Sequence, residues 1–211
     1  AEALPVPRLT VDSRTWDERY RAADLWGSEP NVFVREAVVD LPPGRALDVA
    51  AGDGRHTLWL ARLGWDVDAV DFSTVAMQRG ADLAREQGVA SRTRWHVADV
   101  LADPLPPGPV DLVVVAYLQL PVQALGAALT AACAHVGPGG TAVLVGHDRS
   151  NLAGGTGGPQ DPAVLWTTDD VAAAARAAGL EIQDAAVRER VVTGADRPAL
   201  DAVVLARRPV A

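Results

Sequence analysis

The sequence predicts a doubly wound α/β fold: a seven-stranded, mostly parallel sheet with a C-terminal antiparallel hairpin and N-terminal covering helices. Three observations carry this. From position 41 onward short apolar runs alternate with helical patterns, the rhythm of βαβ units around a parallel sheet. One run, VDLVVVA at 110–116, is apolar on both faces, as a central parallel strand must be when helices cover both sides. The last two runs, 182–192 and 200–208, are separated only by TGADRP, a connection too short for anything but an antiparallel pair.

The elements follow in order. Ser13 is a plausible N-cap for a charged helix that carries Trp16, Tyr20 and Leu25 at helical spacing and ends near Gly27. Residues 31–39 form a second short helical pattern, broken by LPPG at 41–44. Residues 45–50 (RALDVA) read as the first strand, the small-residue stretch AAGDG as a tight turn, and RHTLWLARLG as a helix stopped by Gly64. A second strand ends at Asp71, and Ser73 caps a helix running to about Gly88. Residues 92–98 are the third strand; a proline-rich loop at 102–109 leads to the fourth. Pro121 starts an Ala- and Leu-rich helix that ends before the turn GPGG at 137–140, and TAVLVGHD is the fifth strand. Residues 149–162 hold four glycines and two prolines and read as a mobile loop. Thr168 caps the last helix, which stops at Gly179.

Composition narrows the function. The chain has 211 residues, 49% hydrophobic and 22% charged, which fits one domain over 1–211, with 1–40 as a helical cap and 41–211 as the core. No apolar run reaches the roughly 18 residues of a membrane span, and the first ten residues carry neither the basic region nor the apolar run of an export leader. A cytoplasmic protein without a membrane partner is expected, as a monomer or homodimer. Cys133 is the one cysteine, so an internal disulfide and a Cys-based zinc site are excluded. All 19 basic residues are arginine; without lysine there is no P-loop and no Schiff-base chemistry. A net charge of −8 leaves little field to attract a phosphate backbone, which argues against a nucleic-acid partner.

The turn after the first strand carries the chemistry. In DVAAGDG, Asp48, Ala50, Gly52 and Gly54 place small residues two apart, where the chain turns sharply and lets a ligand approach the backbone. A dinucleotide fingerprint G-x-G-x-x-G begun at Ala50 requires glycine at position 55, where the chain has Arg55. The alternative, an acid followed by x-G-x-G-x-G, is matched by Asp48, Gly52 and Gly54, with Ala50 in place of the first glycine.

With that loop the chain resembles the class I S-adenosylmethionine-dependent methyltransferases, and the resemblance extends over nearly the whole length. Asp71, 17 residues after Gly54, falls where the family's acid binds the ribose hydroxyls; Asp99 in HVADV, with Val100 beside it, falls where a carboxylate accepts from the adenine amino group. VDLVVVAYLQL, with Ala116 and Tyr117, resembles the fourth-strand motif, and VGPGGTAVLV the family's turn and fifth strand. WDERYRAADLWGSEPNVFV and GGPQDPAVLWTTDDVAAAARAAGLEI are similar to the small tellurite-resistance and thiopurine-type methyltransferases, which act on small acceptors. The resemblance implies a Rossmann-like sheet, S-adenosyl-L-methionine as cofactor, a small-molecule acceptor, Asp48 at the cofactor's amino group, and Phe72 against adenine.

Each of these residues also has a plainer reading. Asp48 also reads as a strand-end carboxylate, Asp71 as a helix-capping acid and Asp99 as a turn aspartate, with the glycine loop favouring the cofactor roles; Phe72 reads evenly as a core residue. Trp16, Tyr20 and Trp26 read as the buried face of the first helix or, by the resemblance, as a cover over the cofactor. His96 and His135 lie in apolar segments and read as structural. His56, His147 and Asp148 lie near one sheet edge but without metal-ligand spacing, so no metal is expected.

Methyl transfer is an in-line displacement on an activated carbon, so the protein's task is alignment. For a hydroxyl acceptor the candidate bases are His147, then Tyr117 and His56; a thiolate or soft anion needs none. Trp26, His56, Gln119 and Trp166, with Leu118 and Leu120, are expected to wall the acceptor pocket, Arg149 to clamp an anion, and 151–158 to close as a lid. The alternatives are a nucleic-acid or protein methyltransferase, a non-catalytic cofactor-binding regulator, and a dehydrogenase.

Overall fold

The computed structural model describes residues 13–22 and 27–210. Seven strands form one sheet in the order β3-β2-β1-β4-β5-β7-β6: β1 (Arg45–Val49), β2 (Asp66–Asp71), β3 (Thr93–Val97), β4 (Val110–Ala116), β5 (Val136–His147), β6 (Glu181–Arg190) and β7 (Ala199–Arg207). The first five are parallel to one another, and β7 runs antiparallel between β5 and β6. The helices are α1 (Ser13–Ala22), α2 (Val32–Val38), α3 (Arg55–Arg62), α4 (Thr74–Glu86), α5 (Val122–Cys133), α6 (Asn151–Gly154) and α7 (Thr168–Ala177). This is the doubly wound sheet with a terminal hairpin that the alternation predicts.

The side-chain alternation of the strands builds two cores. Leu47, Val49, Val113, Val115 and Leu144 pack with Leu125 and Leu129 of α5 and Val171 and Ala175 of α7. Their neighbours Ala46, Leu112, Val114, Val143 and Val145 face the other way, onto Phe33, Val34 and Val38 of α2 and Leu60 of α3. Successive residues point to opposite faces, so VDLVVVA feeds both cores at once.

The strand order reverses between β1 and β4, and an open α/β sheet binds its ligand in the crevice at such a switch point. The crevice here is edged by the carboxyl ends of β1, β2, β3 and β4.

Several boundaries differ from expectation. The first helix is described over Ser13–Ala22; the rest of its expected course toward Gly27, with Leu25 and Trp26, lies outside the described residues. Asn31 is the N-cap of α2, its Oδ1 accepting from Phe33 N at 2.9 Å. Thr167, not Thr168, caps α7, with Oγ1 accepting from Asp170 N; the hydroxyl one residue earlier has the extended backbone a cap needs. The GPGG stretch is not a free turn: it lies inside β5, where the register against β4 shifts, and Arg207 Nε donates to Gly139 O. The glycine-rich stretch after β5 is tied down by buried Asn151, whose Nδ2 donates to Gly157 O at 2.9 Å and whose Oδ1 accepts from Leu200 N at 2.7 Å. Those anchors hold the segment expected to act as a lid against β7.

Candidate active site

A cleft, partly open to solvent, lies at the switch point. It is lined by Ala50 and Gly52 after β1, Asp71 and Phe72 after β2, Asp99 and Val100 after β3, and Ala116, Tyr117 and Gln119 after β4. Trp16 and Tyr20 of α1 and Arg55 and His56 of α3 complete the wall.

The loop after β1 turns because Ala50 and Gly52 both take left-handed φ, 58° and 59°. For alanine that conformation costs about 1 kcal/mol, so the alanine here replaces glycine with only mild strain. A Cβ on Gly52 would stand 2.4 Å from Tyr20 Oη; the absent side chain lets α1 close on the loop. Asp17 of α1 accepts from Ser73 Oγ at 2.5 Å and from Val75 N at 3.2 Å, docking that helix on the N-terminus of α4.

Asp71 is the organising acid. Its Oδ2 accepts from Gly52 N and its Oδ1 from Ser73 N, both at 2.9 Å, which ties the β1 and β2 loops together. Each oxygen keeps a second lone pair. Burial raises the Asp71 pKa against those backbone bonds, and the Asp17 charge adds to the rise.

Asp48 lies beneath the loop, 1% exposed. Its Oδ2 accepts from Thr57 Oγ1 at 2.7 Å, and its Oδ1 has no partner. Burial pushes its pKa up to about 7, against the Thr57 bond and the Arg55 charge. Asp48 is not itself in the cleft lining but directly precedes Val49 and Ala50, which are; a buried acceptor with no donor is costly and is complementary to a cationic ligand group.

Gly54 is turned away from the cleft. With φ 86° it precedes α3, and a Cβ there would meet the Trp95 ring at 2.3 Å; Gly80 of α4 faces the same ring at 2.2 Å. Trp95 thus fills a slot between two glycines, which gives Gly54 a packing role of its own. Gly80→Ala is expected to destabilise by about 1–3 kcal/mol through overpacking, with Trp95→Leu in the same chain recovering part of it by urea unfolding. Additive losses would refute the shared slot.

Asn31 joins three elements. Besides capping α2, its backbone N–H donates to His56 Nε2 at 3.2 Å and its Nδ2 to Tyr117 Oη at 2.7 Å. Tyr117 Oη in turn donates to Asp201 Oδ2 at 2.7 Å, which also accepts from Arg190 Nε at 2.7 Å. Tyr117 is held at φ 60°, an unusual conformation for a bulky residue, fixed by these anchors. Burial and the Asp201 charge push its phenol pKa up.

Two residues expected at the site stand behind it. His147 is stacked on Tyr117 at 4.7 Å between ring centroids, with Nδ1 3.2 Å from Asp201 Oδ1, off the line of a good hydrogen bond. Gly158 covers it so closely that a Cβ there would be 2.9 Å from the ring. It is absent from the cleft lining, which does not fit a base that touches the acceptor. Trp166 is 1% exposed; its Nε1 donates to Leu118 O at 3.0 Å, and its indole fills the space over Gly146. It backs the pocket wall instead of forming it. Arg149, Asn31, Asp201 and Arg190 also differ from expectation: the first lies outside the cleft lining, and the other three support it without having been singled out.

Comparison with known proteins fits this geometry. Residues 46–140 match the family model described as "Methyltransferase domain". A probable chloroplastic tocopherol O-methyltransferase of Oryza sativa subsp. japonica is 36% identical over 72 residues, 34% of this chain and 20% of that protein. The matched stretch spans about a fifth of the length of the curated relatives. Among solved structures, a TehB-like SAM-dependent methyltransferase from Corynebacterium glutamicum is 21% identical, with TM-score 0.62 over 93% of this chain and 97% of that one. The [4+2]-cyclase SpnF is 18% identical, with TM-score 0.71 over 94% and 95%.

Residues 46–140 thus match a methyltransferase domain, on the fold of solved S-adenosylmethionine-dependent methyltransferases.

The residues present suit that cofactor. The unpartnered Asp48 Oδ1 is complementary to an α-ammonium, Asp71 retains lone pairs for ribose hydroxyls, and Phe72, Asp99 and Val100 line the remaining end where an adenine would rest. Among the described residues no group of acids, histidines and cysteine is placed to hold a metal ion, and no helix is long and apolar enough to cross a membrane.

Proposed function

We propose that this protein transfers the methyl group of S-adenosylmethionine to a small-molecule acceptor in the cleft between the β1 and β4 loops. The observation that carries the reading is Asp71, gripped by two backbone N–H groups and still able to accept from a diol. Asp48, Ala50, Gly52, Phe72, Asp99, Val100 and Ala116 complete the cofactor side, with Gly54 holding the loop from behind. Tyr117, His56 and Gln119 bound the acceptor side. The net charge of −8 favours a small acceptor over a nucleic acid, and a cytoplasmic setting accords with the unpaired, buried Cys133.

When bound, the cofactor supplies a methyl carbon already activated by the sulfonium. The chain supplies position: Asp48 holds the methionine end of the cofactor and Asp71 its ribose, α1 excludes water, and the rigid Tyr117 wall orients the acceptor. The likeness to a [4+2]-cyclase shows that this fold also stands under other chemistry, so turnover is part of the test.

Calorimetric titration with S-adenosylmethionine, S-adenosylhomocysteine and NAD tests the cofactor. Micromolar binding of both adenosyl ligands is expected, weakened by about 100-fold or more in Asp71→Ala, with S-adenosylhomocysteine formed when acceptors are supplied. NAD binding without adenosyl binding would overturn the reading. Adenosyl binding without product from any acceptor class would leave a regulator in its place.

A further inference from the structure

We infer that the acceptor enters the cleft already ionised and is held as an anion by Arg55, so that the protein uses no general base. This inference rests on the methyl-transfer reading. It follows from what each polar group at that end of the cleft is doing.

Arg55 is the first residue of α3 and lines the cleft half-buried. Among the described residues its guanidinium has no hydrogen-bond or ion-pair partner, and it lies over the Tyr117 ring, 5.7 Å from the guanidinium carbon to the ring centroid. Arg190, on the same ring at 5.7 Å, is by contrast spent on Asp201. The charges about Arg55 are Asp48 and Asp53 on its own side and Arg190 across Tyr117. Asp53 has Arg79 within 3.6 Å, and Asp48, bonded to Thr57 beneath the loop, has its pKa pushed by burial up to about 7. An uncompensated guanidinium in a partly dehydrated cleft is a site for an anion, and its planar fork suits a carboxylate or a delocalised oxyanion or thiolate.

The groups able to remove a proton are already engaged. His56 Nε2 accepts from the Asn31 backbone N–H, which fixes the neutral ring with its proton on Nδ1. Burial and the neighbouring Arg55 hold the ring far from taking up a second proton. His56 therefore offers an N–H, not a lone pair. Tyr117 gives its proton to Asp201 and accepts from Asn31. His147 stands behind Tyr117, outside the lining. Asn31 is thus a positioning residue, acting through His56 and Tyr117.

In the step itself the lone pair of the anionic acceptor forms the bond to the methyl carbon as the carbon–sulfur bond breaks. That electron pair stays on sulfur, giving neutral thioether and neutral methylated acceptor; no proton changes hands.

The test uses the full chain. S-adenosylhomocysteine is titrated first, then benzoate and benzyl alcohol are titrated into the complex. Benzoate is expected to bind at least tenfold more tightly than benzyl alcohol, and Arg55→Gln to erase that preference while S-adenosylhomocysteine affinity changes less than threefold. Equal binding of the two probes, or a loss in Arg55→Gln that falls on S-adenosylhomocysteine instead of benzoate, overturns the inference. With para-substituted thiophenols as acceptors, the inflection of kcat/KM against pH is expected to follow each thiol's own ionisation. One inflection common to all thiols would reveal a protein base and also overturn it. Failure of S-adenosylhomocysteine to bind at all is a different result, and defeats the methyltransferase reading beneath.

Discussion

Asp201→Ala should lower the unfolding free energy by about 3–5 kcal/mol, the usual cost of removing one partner from a buried charged network. Asp201 on β7 is fully buried. It accepts from Tyr117 and Arg190 at 2.7 Å each and lies 3.2 Å from His147. Burial alone would raise its pKa, but these three contacts outweigh burial and hold it below the ordinary carboxylate value. The depressed pKa gives the sign: its stabilisation is present above the unfolded pKa near 4 and is lost as pH falls through the folded value. Alanine leaves Arg190 without its carboxylate and Tyr117 without its acceptor. Tyr117, held at a left-handed φ by these bonds, is then released from its place in the cleft wall. Urea unfolding at pH 7 measures the loss, and Asp201→Asn, which keeps the shape but not the charge, should lose less. A loss under about 1 kcal/mol for alanine would mean that water already satisfies the network.

What the sequence discloses about the site is set by distance along the chain. Strand ends and turns are local: hydrophobic period, glycines and caps are enough to put Asp48, Asp71 and Asp99 at the carboxyl edge of a parallel sheet. The side of that edge on which a residue lies is not local. His147 and Trp166 follow the fifth strand just as the pattern says, yet the returning hairpin and the segment pinned by Asn151 cover them. The supports of Tyr117 are further out of reach, since Asn31 is 86 positions away and Asp201 is 84. An acid interrupting the apolar run LDAVVLA is the one trace that Asp201 leaves in the sequence. Arg55 is visible as the residue that breaks the dinucleotide fingerprint, but its lack of a counter-ion belongs to the fold alone.

Asp48→Asn should separate folding from cofactor binding. In the free protein Asp48 is buried with one oxygen unpartnered and a pKa of about 7, against 3.8 for an exposed aspartate. The folded state therefore keeps a proton that the unfolded chain gives up, and stability from this residue falls as pH rises between those two values. Ionised Asp48 then costs about 2–4 kcal/mol at pH 8, so asparagine should raise the urea midpoint at pH 8 and leave it nearly unchanged at pH 4. Cofactor binding should move the other way. An α-ammonium beside Oδ1 would drive the proton off, so between pH 5.5 and 7, where that ammonium stays charged, affinity for S-adenosylmethionine should rise with pH and binding should release a proton. Calorimetry in buffers of different ionisation enthalpy reads that proton directly. In Asp48→Asn the release should vanish and affinity fall by about 10–100-fold. A variant that gains stability and keeps full affinity would place the ammonium elsewhere, whereas one that loses both would show that the carboxylate stabilises the loop. The combination expected, a more stable chain that binds less well, is the mark of a charge retained for its ligand at a cost to the fold.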